Sequence, residues 1–183
     1  MKRNQIDIFI AAIVVLIAAS SRIANSAMHI HNFAPLIALG LFSGAVIKNK
    51  RLALLTAISG QLIADVYFHL FTQTPGFYDI ISQSFNYGAL LTAAGLGFFL
   101  KKPNIPNGLV YTFAASTLFF IISNLGVWLA GWNGSGFTAL VKTFILGVPF
   151  FNYTLVGNMT GALIFFAVYA KIQQSIKAKM LKA

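Results

Sequence analysis

A carboxylate stands inside an apolar run. Leu52–Phe71, LALLTAISGQLIADVYFHLF, is twenty residues long, enough for a helix to cross a hydrocarbon core of about 30 Å. Asp65 lies thirteen residues into it, and of the three acidic residues it alone is read as falling within a hydrophobic span. An ionised carboxylate in hydrocarbon is tolerated only against a protein interior, a partner or water. Whatever this chain folds into must gather polar groups around that point.

The rest of the chain is of the same kind. Of its 183 residues 58% are hydrophobic and only 9% charged, and the mean hydropathy is +0.79. No soluble domain needs so much apolar surface, so one polytopic, all-α membrane domain is expected. A net charge of +10 would suggest nucleic acid in a soluble protein. Here the basic residues fall where the positive-inside rule puts them, and no nucleic acid is expected. Cysteine is absent, which excludes disulfides, thiol catalysis and cysteine metal sites.

Apolar periodicity places spans at about 6–22, 33–47, 52–71, 83–100, 109–130 and 152–170. The first could pass for a signal peptide ending at Ala18-Ala19-Ser20, but it is read as a retained signal anchor. Eleven of the thirteen Lys and Arg residues lie before span 1, between spans 2 and 3, between spans 4 and 5, or in the tail 171–183. Only Arg22 and Lys142 fall on the other side. Six spans with both termini cytoplasmic, in a bacterial inner membrane, fit that bias. The run 138–151 carries Lys142, Gly147 and Pro149. It is read as a short half-helix at the outer face, because a seventh span would put the Lys-rich tail outside.

The outer connections are long and the cytoplasmic ones tight, so the elaborated side faces outward. Span 2, at fifteen residues, rises only about 22 Å. With Asn32 as its cap and Pro35 in its first turn, its outer end lies below the surface. Either the preceding Asn25–His31 descends beside a water-filled cavity, or the bilayer thins there. Small residues recur every fourth position at Gly40/Gly44, Ala89/Ala93/Gly97 and Gly157/Gly161. Such stripes serve either internal helix packing or docking of another membrane subunit.

Counting the helical rise from the cytoplasmic ends puts Asp65 about 20 Å up and Arg22 about 24 Å up. At one height, the two either form a structural pair or together fix a polar ligand. Asn25, His29 and His31 in the first outer loop, His69, Asn86, Asn124, Trp128 and Asn158 cluster at that level. Aromatic walls with a few placed polar groups describe a small-molecule pocket. The competing roles are an interfacial aromatic belt for Trp128 and interhelical hydrogen bonds for the asparagines. A metal site at His29, His31 and His69 lacks a specific spacing, and none is expected. No second intramembrane acid, HExxH, GxSxG or nucleotide-binding loop is found, so neither an enzyme nor a cofactor is expected.

The run Asn32-Phe33-Ala34-Pro35-Leu36-Ile37-Ala38-Leu39, with Gly44, Asp65, Ser123-Asn124-Leu125-Gly126-Val127-Trp128 and Pro149-Phe150-Phe151, is similar to an uncharacterised bacterial integral-membrane family. That family resembles the substrate-binding S components of energy-coupling-factor vitamin transporters. The likeness spans about Arg22 to Phe166. It implies six helices, outer loops closing over a small ligand, and movement against a partner scaffold. Where such components often carry Ala-x-x-x-Ala in helix 1, Ala11 and Ala12 are followed by Val15 and Leu16. Gly157-Asn158 stands where Gly-Asp is expected of relatives.

The leading expectation is therefore a small-molecule uptake subunit with an outward-facing pocket. Its partners would be the bilayer, a ligand, and other membrane subunits or an energising module. The alternative is a structural or assembly subunit of a larger membrane complex.

Overall fold

The computed structural model describes residues 3–30, 32–73, 76–77 and 79–180. Among these residues the chain forms six helices and no strand. They are α1 (Arg3–Ala27), α2 (Leu36–Val46), α3 (Lys50–Phe71), α4 (Ile80–Gly97), α5 (Ile105–Leu129) and α6 (Gly136–Met180). Four of them, α1, α3, α5 and α6, are long and apolar enough to cross a membrane. α2 is too short, and α4 opens on Ser82, Gln83, Ser84 and Asn86, which dilute its hydropathy.

α2 is the hub. Its sequence, LIALGLFSGAV, is apolar all round, and eight of its eleven residues are buried. A helix without a polar face belongs in a core, and α2 packs against all five other helices. At about 16 Å it is shorter still than the sequence suggests. The anticipated Asn32 cap does not form. Pro35 is the N-cap, and it makes no side-chain capping bond. The missing acceptor comes instead from α6, where Asn158 Oδ1 accepts from the Ala38 N–H at 2.9 Å while its Nδ2 donates to Thr154 O at 2.7 Å. Asn158 is 1% exposed, so Asn158→Ala leaves the Ala38 N–H unmet. Stability should fall by about 1–3 kcal/mol, read from the thermal midpoint of the purified chain.

The other starts follow ordinary capping chemistry. Asn49, Asp79 and Asn104 side chains accept from Leu52, Ser82 and Asn107 N–H groups at the heads of α3, α4 and α5.

The expected outer half-helix and last span are one helix. α6 runs unbroken through Pro149, about 67 Å in all. It lies antiparallel to α5: the Trp128 indole donates to Gly136 O, Phe120 meets Phe144 and Phe151, and Gly108 sits against Phe166. A proline removes one backbone bond and crowds the preceding turn, but in an apolar bundle a packed neighbour holds the helix together across it. Beyond that pairing, the tail 171–179 continues as an exposed basic helix.

The small-residue stripes are used internally. A Cβ on Gly44 would lie 2.0 Å from Ala94 O, and one on Gly97 would lie 2.3 Å from Leu41 O, so α2 and α4 touch backbone to backbone. Gly157 takes the Phe33 backbone in the same way, and Gly161 takes the Pro35 ring. Asp7 is a second buried acid, which corrects the expectation that Asp65 is alone. Asp7 Oδ2 accepts from the Lys48 and Asn49 N–H groups at 3.1 and 3.2 Å, fixing the α2–α3 connection.

At the opposite end, Asp79 joins two loops. It accepts from the Ser82 hydroxyl and from the Trp132 indole, the latter at 2.7 Å. The Ser82 hydroxyl first, then the Ser82 backbone N–H and the indole, hold its carboxyl below the usual range. A carboxyl lowered on folding stabilises fully above its unfolded value of about 3.9, and that contribution is lost as pH falls through the folded value. In a Trp128→Phe background, Trp132 emission should hold steady down to about pH 4 and shift below it. Asp79→Asn should abolish the shift.

Candidate functional site

Because α2 begins deep, space is left above its first turn. α1 and α3 end, and α4 begins, around that space. A cavity of about 520 Å³ lies there. Its floor is Leu36, Ile37 and Asn158. α1 and the loop after it supply Arg22, Asn25, Ser26, His29 and Asn32. α3 contributes Gln61 and Phe68, and α4 contributes Gln83 and Asn86. The remaining wall is aromatic, with Phe119 and Phe120 on α5 and Phe150 and Phe151 on α6, joined by Ser123, Asn124 and Thr154. The irregular stretch after α1 begins at Met28 rather than Asn25. His29 and Asn32 both adopt left-handed backbone there, with φ of 55° and 59°, a conformation for which His and Asn are enriched.

Arg22 and Asp65 do pair. Arg22 Nη2 donates to Asp65 Oδ1. Asp65 Oδ2 accepts from Gln83 Nε2 at 2.7 Å and Tyr87 Oη at 2.8 Å. Asp65 is 0% exposed and does not itself line the cavity. The Arg22 side chain is 24% exposed and does line it. Its guanidinium lies over the Phe68 ring, 5.6 Å from the centroid. Three charge-assisted donors meet the cost of burying the carboxylate. The outcome is directional: the anion is hidden and the cation is presented.

Asn25, His29, Asn86, Asn124 and Asn158 share this cavity with Arg22. Asn124 Nδ2 donates to Phe120 O at 2.7 Å, and the face of Gly147 lies against its oxygen. Two expected site residues lie elsewhere. His69 is exposed, with its ring 5.6 Å from Phe77. Trp128 reaches Gly136 O at 3.1 Å and ties α5 to the head of α6. His31 lies outside the described residues. Gln61, buried and lining the cavity, went unread in the sequence. Its signal was its position four residues before Asp65, on the same helix face.

Fold and site together define an all-helical protein of membrane character, built around a central buried helix with a polar and aromatic chamber at one end. The chain belongs to DUF6580, a family of unknown function whose match covers residues 2–180. No curated protein and no solved structure matches it.

Proposed function

We propose that this is a six-span inner-membrane protein that takes up a small polar molecule, acting as a substrate-binding subunit with its chamber facing outward. One observation carries the reading: a guanidinium held in place by a hidden carboxylate faces a cavity of about 520 Å³. That volume falls in the range of small-molecule sites, about 300–1,000 Å³. The orientation is supported by the far end of the bundle, where Lys48, Lys50, Arg51, Lys101, Lys102 and Lys171 are all exposed; basic ends face the cytoplasm. α2 and α4 then complete the six spans, shielded by the longer helices. Six helices and an outer loop at the cavity mouth agree with what the likeness to S components implies. Ala11 packs inward with Ile47 and Ala53, so scaffold docking through that part of helix 1 is not favoured. A partner or a gradient would energise transport.

The test is ligand stabilisation. Purified chain is screened against small metabolites by thermal midpoint, alongside Ser123→Trp, which fills the cavity from α5. A compound at about 100 times its Kd should stabilise the wild type by about 2.7 kcal/mol and leave the filled variant unmoved. Co-purification with a fixed set of membrane subunits, with no responding compound, would favour the assembly role instead.

A further inference from the structure

We infer that the ligand of this cavity is a small organic acid, a monoanion carrying its carboxylate beside a flat ring. This rests on the uptake reading and sharpens it.

The argument begins with the charges on the wall. Among the residues lining the cavity, Arg22 is formally charged and no carboxylate is present. Asp65 does not act from the cavity side, because it is 0% exposed and both its oxygens are taken, by Arg22, Gln83 and Tyr87. A cationic ligand would therefore meet a guanidinium with its counter-charge set behind it. An anion approaches the cation first, and in a confined, partly desolvated site that order decides the sign of the attraction.

Hydrogen bonding points the same way. A guanidinium has five N–H donors, and Asp65 engages Nη2. The Arg22 Nε is buried and has no acceptor among the described residues. That nitrogen does not open onto the cavity; what a ligand oxygen can meet is the rest of the guanidinium side chain, which is 24% exposed and lines the cavity. Carboxylates suit this role because their two oxygens fit the planar fork of arginine.

The ring follows from the opposite wall. Phe120 and Phe151 are 4.8 Å apart between centroids, and Phe119 and Phe150 extend that surface. Flat apolar faces of this kind favour offset or edge contacts with another ring.

The experiment uses triads that share a ring and carry a negative, neutral or positive side group. Indole-3-acetate, indole-3-acetamide and tryptamine form one, and nicotinate, nicotinamide and 3-picolylamine the other. Binding to the purified full chain is measured at pH 7. In at least one triad the acid should bind about 10-fold or more tighter than the amide, with the amine weakest, as expected for a charge-assisted contact. In Arg22→Gln/Asp65→Asn, which replaces the ion pair by a neutral hydrogen-bonded one, acid and amide should come within about 2-fold of each other. An amide or amine that binds as well as its acid overturns the inference and leaves the cavity as a binding site. So does an acid preference that survives in the double variant. Should that variant fail to fold, the wild-type ratios decide alone. Failure of every acid overturns the inference as well. If the metabolite screen is also silent, the uptake reading falls with it.

Discussion

Arg22→Gln lowers the stability of the purified chain by about 3–5 kcal/mol, the cost of leaving a buried charge without its partner. The loss is large because Asp65 is 0% exposed. With the guanidinium gone, Gln83 and Tyr87 alone among the described residues remain to hold a full negative charge. Asp65→Asn is gentler. The Gln83 amide can turn, the Tyr87 hydroxyl can rotate, and Arg22 keeps its opening to the cavity. Its cost should be about 1–3 kcal/mol. The double variant should recover much of the larger loss, since no buried charge is left alone, giving a coupling of about 3 kcal/mol between the sites, at the top of the usual range. Thermal or denaturant midpoints of the four proteins in one detergent measure it. Additive losses would mean that the two residues act separately.

The second large effect separates two glycines on one packed pair of helices. Gly44→Ala places a methyl group 2.0 Å from Ala94 O and 2.9 Å from Ala94 C. Both obstacles are backbone, so no side chain can swing aside and α2 must leave α4. Overpacking of this kind costs about 1–3 kcal/mol or more. It is felt widely because α2 touches every other helix. Gly95→Ala meets nothing within 4 Å, and should be neutral or gain up to about 1 kcal/mol from helix propensity. A clear loss at Gly44 with none at Gly95 is the expected result, read from the same midpoints. Equal effects would mean that the helices are not in backbone contact.

Several of these features were legible in the sequence for physical reasons. Helical rise alone puts Arg22 and Asp65 at one height, and a lone carboxylate in an apolar run needs such a partner. The shortness of helix 2 forced its outer end down, and the cavity occupies the space this leaves. The fourth-residue spacing of Gly40/Gly44 and Gly157/Gly161 marked faces that allow close approach, although not which partners would fill them.

What escaped the sequence depended on tertiary contact. Pro149 is a local breaker, and only the packing of α5 along α6 shows why the helix survives it. His69 follows the buried Phe68 by one residue, a rotation of about 100°, which carries it off the packed face. Trp128 lies one turn beyond Asn124, and its indole is drawn to Gly136 at the loop end. Asp7 stands beside the basic N-terminus, and the Lys48 and Asn49 N–H groups that its carboxylate accepts come from a connection 41 and 42 residues further along the chain. From the sequence, Asn158 is either interhelical glue or a ligand contact. Its main duty, capping α2, required knowing which helix start lay beside it.

Everything rests on a water-filled chamber, walled by Arg22, that opens away from the cytoplasm. The chain has no cysteine, so a single Ser123→Cys can be labelled in intact cells with membrane-impermeant thiol reagents, one bearing a sulfonate and one a quaternary ammonium. The account predicts modification from outside, faster with the sulfonate, while Lys177→Cys reacts only once the membrane is opened. A Ser123→Cys that stays unlabelled in intact cells yet reacts in inverted vesicles, or only after denaturation, would contradict it.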